Sequence, residues 1–114
     1  MDLERLKDEL RAFAADRDWE PFHSPKNLSM ALAVEAAELM EHFQWLTEAQ
    51  SRDPDPALRA KISEEIGDVL IYLTRLADQL DVDLMAAAGE KMARNAEKYP
   101  VEKARGSAAK YTEL

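Results

Sequence analysis

Two acidic pairs, Glu35-Ala-Ala-Glu38 and Glu65-Ile-Gly-Asp68, lie inside segments that otherwise read as buried helix. Each pair is spaced i, i+3, which on a helix puts both carboxylates on one side, a turn apart. Leu28, Ala31, Leu32, Val34, Ala37 and Leu39 surround the first pair; Ile62, Ile66, Val69, Leu70, Ile71 and Leu73 surround the second. Ionised carboxylates facing an apolar interior are costly unless they are paired or hold a cation. Neither segment contains a lysine or arginine. Side-by-side packing of the two helices would therefore gather four acids, and a divalent metal is the simplest way to relieve their repulsion.

The rest of the 114-residue chain suits that scheme. Three glycines and an abundance of Ala, Leu, Glu and Lys point to an all-α, four-helix-bundle-like fold rather than a sheet. The length fits a single domain over residues 1–114. With no cysteine, disulfides, zinc–thiolate sites and thiol chemistry are excluded. No apolar run approaches a membrane span, and Asp2 and Glu4 do not suit a secretory signal, so a cytoplasmic address and no membrane partner are expected. A net charge of −8 opposes binding to a nucleic-acid polymer, which needs a basic footprint. It does not oppose an anionic small molecule at a metal-bearing site.

Along the chain, Leu3, Leu6, Leu10, Phe13 and Ala14 predict an amphipathic helix over 2–17. Pro21 and Pro25 break the pattern over 18–27, where Trp19, Phe22 and His23 cluster ahead of Lys26 and Asn27. Those aromatics either plug the end of the bundle or form a stacking wall for a planar ligand. A second helix is expected from Ser24–Asn27, capped by Ser24 or Asn27, towards Gln50. On it Glu35, Glu38, His42 and Trp45 would share one stripe, with Glu41 at its margin. Ser51 to Pro56 reads as a turn. A third helix, about Ala57 to Leu80, sets Tyr72 one turn beyond Asp68, and its long apolar stripe suits a core that also meets a second subunit. Gly67 weakens this helix with no turn to justify it, which suggests close approach of another helix. A fourth helix starts at Asp81 or Asp83 and stops at Pro100. Its stripe of Lys91, Asn95 and Lys98 reads equally as solvated charge at a helix C-terminus or as a phosphate contact. The basic, glycine-containing tail, 101–114, is either flexible or folded over a phosphate.

An all-oxygen ligand set suits Mg²⁺ or Mn²⁺ rather than zinc or copper. A ferritin-type di-iron site needs Glu-x-x-His on two helices and is disfavoured, because the chain has a single such spacing, Glu20-Pro-Phe-His23, in the proline-broken stretch. No phosphate-binding loop of the Gly-x-x-x-x-Gly-Lys-Ser/Thr type is present. Carboxylate-held Mg²⁺ would orient a triphosphate for in-line attack by water. Either Glu38 or Glu41 can serve as the base in that scheme.

The acidic pairs, about 26 residues apart on helices, occur with Arg17-Asp-Trp-Glu-Pro-Phe-His23, Pro25-Lys-Asn-Leu28, Phe43-Gln-Trp45, Glu64-Glu-Ile-Gly-Asp-Val-Leu-Ile-Tyr72, Lys91 to Pro100 and Arg105-Gly-Ser-Ala-Ala-Lys-Tyr111. In this order the segments resemble the MazG-like nucleoside triphosphate pyrophosphatases, and most closely their dCTP pyrophosphatase branch. The resemblance implies Mg²⁺-dependent hydrolysis of dCTP or modified dCTP to a monophosphate and pyrophosphate. It implies Glu35, Glu38, Glu65 and Asp68 as metal ligands. It also implies a nucleoside pocket of Trp19 to His23, Trp45 and Tyr72, and a phosphate end of Lys91, Asn95, Lys98 and Tyr99. A homo-oligomer, tetramer or dimer, follows from the same resemblance. Leu10 stands where some relatives carry a polar, base-contacting residue. A dUTP or broad-specificity pyrophosphatase is the neighbouring alternative; a non-catalytic helical oligomer with acidic surface pairs is the alternative of another class.

Overall fold

The first helix, α1 (Leu3–Asp16), opens with Asp2 as N-cap, its carboxylate accepting from the Arg5 N–H at 2.9 Å. It closes in a left-handed turn. Asp18 has φ +53°, the Asp18 N–H donates to the Ala15 carbonyl at 3.1 Å, and the Trp19 N–H donates to the Ala14 carbonyl at 3.0 Å. This paired closure satisfies carbonyls that the helix end would leave bare. It also turns the chain back so that Trp19 meets Phe13 edge-on, ring centroids 5.7 Å apart. A single 3₁₀ turn, Glu20–Phe22, carries Pro21 into the next helix.

The second helix, α2 (Pro25–Glu41), is capped by Ser24, whose hydroxyl accepts from the Asn27 N–H at 3.2 Å, and Pro25 takes the first helical position. It ends nine residues before the expected limit at Gln50. The reason is Thr47-Glu-Ala-Gln50: the Thr47 hydroxyl accepts from the Gln50 N–H at 3.1 Å and the Gln50 side chain accepts from the Thr47 N–H at 2.9 Å. This reciprocal capping box starts a new short helix, α3 (Glu48–Arg52), and the intervening residues turn. Ser51 and Arg52, expected in a turn, are thus helical, and the connection narrows to Asp53–Asp55.

The third long helix, α4 (Pro56–Gln79), is capped by Asp55 and runs within one residue of its expected bounds. Both α1 and α2 pack on it. Its buried residues are Ile62, Thr74, Arg75 and Ala77, and with Leu28 and Ala14 they make a narrow core. Gly67 does not mark a close approach within this chain: a Cβ placed there meets no atom within 4 Å.

The computed structural model describes all 114 residues, six α-helices with two 3₁₀ turns and no strand. Residues Met1–Asp81 form one compact unit and Val82–Leu114 a second. In the second unit, Asp83 caps α5 (Leu84–Lys98) by accepting from the Ala86 N–H at 2.9 Å. Asp81, the other candidate cap, instead adopts φ +55° after the end of α4. Pro100 separates α5 from the one-turn α6 (Val101–Ala104). Tyr111, in the final 3₁₀ turn, meets Tyr99 edge-on at 6.0 Å, and the Lys98 ammonium lies 4.9 Å from its ring centre.

Candidate active site

Within the first unit, α2 and α4 bring carboxylate oxygens of Glu35, Glu38 and Glu65 within 4.8 Å of one another, all half-buried. One oxygen each of Glu35 and Glu65 is fully buried without a hydrogen-bond partner. Burial, followed by contact with Glu38 and Glu65 and the charges of Glu38 and Asp68, pushes the Glu35 carboxyl up to about 7. Like charges this close resist full ionisation, and orphaned buried oxygens require a partner. Hard oxygen donors with no neighbouring base fit a divalent cation. The trio is therefore chemically suited to hold one.

Beside it lies a cavity of about 370 Å³ lined by Leu10, Phe13, Ala14, Trp19, His23, Asp68, Ile71, Tyr72 and Arg75. Its wall is largely apolar and aromatic, with few polar groups, as small-molecule pockets usually are. Asp68 joins the two features: it lines the cavity, and its charge is among those that raise Glu35. Arg75 is 3% exposed; its Nε–H donates to His23 Nδ1 at 3.3 Å, and its Nη1 lies 3.8 Å from the Asp78 carboxylate. Burial first, then the Arg75 charge, lowers the His23 imidazole from its usual value. That ring is accordingly neutral at pH 7.

Residues 30–114 match the profile of the MazG-like family. The chain belongs to that family. Curated relatives of this MazG-like chain include dCTP pyrophosphatase 1 of Rattus norvegicus, 50% identical, and of Homo sapiens, 49% identical, each over 99% of this chain. The chain spans 66% of the length of each, just under two thirds. A crystal structure of a pyrophosphatase from Archaeoglobus fulgidus superposes with a TM-score of 0.81 at 40% identity, covering 85% of this chain and 91% of that one.

The MazG-like site differs in parts from the sequence expectation. Three of the four expected carboxylates meet; Asp68 stands outside the 4.8 Å group, on the cavity side. Glu41, the last residue of α2, is exposed and outside the trio. Trp19, His23 and Tyr72 line the cavity, but Phe22 and Lys26 do not, and Phe22 is 66% exposed. Trp45 leaves the stripe of Glu35 and Glu38 because α2 stops first; it is 87% exposed in the following turn and does not line this cavity. Lys91, Asn95 and Lys98 occupy one exposed face of α5 in the second unit, and Tyr99 follows as its C-cap. Arg75 and Phe13 were missed as site residues. An arginine three residues after Tyr72 on the apolar ladder, with Asp78 three residues further on, was the available signal, since a cation enters a core only with partners.

Proposed function

We propose that this chain is a divalent-metal-dependent pyrophosphatase that hydrolyses dCTP, or a modified dCTP, to the monophosphate and pyrophosphate, with residues 1–114 acting as one MazG-like domain. The observation that carries the reading is the position of Asp68, shared by an acidic cluster and an aromatic cavity in a chain about half identical to named dCTP pyrophosphatases. An acidic site for the metal and phosphates next to an apolar site for a planar base is what such a substrate requires.

Glu35, Glu38, Glu65 and Asp68 are the residues that would hold the ion, with Mg²⁺ favoured over Mn²⁺ as the commoner partner of phosphates. When bound, the ion supplies neutralisation of triphosphate charge and a lower pKa for the attacking water. Glu41 stands one helical turn beyond Glu38 and outside the trio, so its carboxylate is free to accept the proton of that water. Glu38, held among like charges, acts as ligand. Trp19 and Tyr72 flank the base, and His23 donates to it. Lys26, Lys91, Asn95, Lys98 and Tyr99 remain the phosphate-binding residues on chemistry alone, as cations and hydrogen-bond donors. Base specificity in this reading lies with the cavity rather than with the metal.

The same proposal includes a homo-oligomer, dimer or tetramer. Met30 and Val34 on α2 and Ile66, Leu70 and Leu73 on α4 are all more than a third exposed, while very few large side chains are fully buried. Apolar rows of this kind on packed helices suit self-association. A nucleotide substrate makes the cytoplasm the corresponding address.

Product analysis tests the activity. Purified protein with Mg²⁺ and a panel of dCTP, 5-methyl-dCTP, dUTP, dTTP and ATP is expected to release monophosphate and pyrophosphate from a cytosine nucleotide. Release of inorganic phosphate, or no turnover by folded protein, overturns the proposal.

A further inference from the structure

The donors of Arg75 are closed to any ligand in the cavity. The residue is 3% exposed, its Nη2 is fully buried, its Nη1 lies 3.8 Å from the Asp78 carboxylate, and its Nε–H donates to His23 Nδ1 at 3.3 Å. Asp78 is in turn gripped by Arg11 of α1. The guanidinium is thus fixed between one carboxylate and one imidazole nitrogen. His23 is differently placed. Its Nε2 has no partner within the chain and is not fully buried, and it is the only polar atom the ring has left to present to the cavity it lines.

A neutral imidazole carries its hydrogen on either nitrogen and can donate only from the one that holds it. Arginine is a donor at every nitrogen and does not deprotonate in proteins. A hydrogen on His23 Nδ1 would face the Arg75 Nε–H, which opposes both the Nδ1–H tautomer and the imidazolium. The other titratable groups lining the cavity are Asp68 and Tyr72, both on α4, while α1 contributes only Leu10, Phe13 and Ala14. Among these groups only Arg75 bears on the proton affinity of His23.

We propose that Arg75 is a positioning residue: it fixes the His23 ring and keeps Nδ1 free of hydrogen, so that His23 meets the base with one donor, Nε2–H. A donor set before the ligand arrives pays no ordering cost on binding. A ring free to turn over or to change tautomer would offer an acceptor or a C–H in some of its states, and either meets a base carbonyl or ring nitrogen less well. Asp78 serves the same end one step further back, by holding the guanidinium that holds the ring. This inference rests on the nucleotide reading of the cavity and names a residue that acts on the base without touching it.

A double-mutant cycle on dCMP binding to the metal-free protein, followed by calorimetry, tests the role. His23→Ala and Arg75→Met are each expected to weaken dCMP by about fivefold or more, the scale of one hydrogen bond. In the His23→Ala background, adding Arg75→Met should change the affinity by less than about twofold, because Arg75 then has nothing to position. An arginine that merely props the core would weaken binding equally in both backgrounds. Losses that multiply, or an Arg75→Met protein that binds dCMP like the wild type, overturn the proposal. The ¹⁵N shifts of His23 in the wild type need no variant and decide the matter if Arg75→Met does not fold. Hydrogen on Nε2 alone is expected with and without dCMP, and the Nε2 shift should move on binding. Hydrogen on Nδ1 in either state, or an unmoved Nε2, overturns the proposal. Coupling of the two residues without pyrophosphate release from dCTP would fail the pyrophosphatase reading and leave the role of Arg75 standing. Pyrophosphate release without coupling would fail the role alone.

Discussion

Arg11 on α1 grips Asp78 near the end of α4 with both Nε and Nη2, at 2.6 and 2.5 Å, and the Asp78 side chain is only 6% exposed. The same carboxylate lies 3.8 Å from Arg75. Asp78 therefore locks α1 to α4 and balances the buried cation of the cavity. Arg11, by hydrogen bond and charge, holds the Asp78 carboxyl below its usual range, against the opposing effect of burial. Removing one member of a buried pair leaves the other charge uncompensated and costs about 3–5 kcal/mol. Asp78→Ala is expected to destabilise the fold by about 3 kcal/mol in urea unfolding. Arg11→Ala should cost less, since Arg11 is 55% exposed and Arg75 keeps its partner. Equal losses would show that the link to Arg75 contributes nothing.

A pH dependence follows from Glu35. Its carboxyl is raised from 4.5 to about 7 in the folded chain, so in that window the folded state binds a proton that the unfolded state has released. The sign is fixed by that excess: stability of the metal-free protein is greatest below the unfolded value and falls as pH rises towards about 7. A divalent ion must displace the same proton, so stabilisation by Mg²⁺ should be larger at about pH 8 than at about pH 5. Thermal melting across this range, with and without Mg²⁺, reads both effects. Glu35→Gln should flatten the metal-free decline and abolish the gain from Mg²⁺.

Glu38 and Glu41 are distinguishable by what each loses. Glu38→Gln removes a charge from the trio and is expected to weaken Mn²⁺ binding by at least about 10-fold, with turnover falling as well. Glu41→Gln should leave Mn²⁺ affinity within about twofold and lower kcat by about 10²-fold, the scale of a general base. Paramagnetic titration with Mn²⁺ and steady-state kinetics make the comparison. Full activity of Glu41→Gln would return the base role to another group.

The sequence made the long helices legible because their signals are local and repeated. Leu3 to Ala14 mark α1, and Asp55-Pro56 and the apolar ladder from Leu58 mark α4. The end of α2 was less legible: helical periodicity continues past Glu41, and only the Thr47/Gln50 capping box tells that a new helix has begun. That error carried Trp45 onto the wrong stripe. The acidic trio was visible as charge inside apolar helices. The separation of Asp68 from it was not, since side-chain reach across two helices depends on their packing. Arg75 was hidden for the same reason: its meaning comes from His23 and Asp78, 52 and three residues away.

The exposed row on α4 gives a prediction about assembly. Ile66, Leu70 and Leu73 are spaced i, i+4, i+7 and are 54%, 41% and 37% exposed, so they form one apolar face. In an oligomer built on that face, a charge introduced there has to be desolvated without a partner, which opposes association by several kcal/mol. Ile66→Glu is expected to shift the protein to monomer in sedimentation velocity at micromolar concentration. Gly67→Ala provides the control on the neighbouring position. Open space around Gly67 and the low helix propensity of glycine predict about 1 kcal/mol of added stability and an unchanged assembly. If Gly67→Ala also dissociates the protein, a second chain packs directly over Gly67 and the interface is wider than the Ile66 row. If Ile66→Glu keeps the wild-type mass, the interface lies elsewhere, and the α2 pair of Met30 and Val34 becomes the next face to charge.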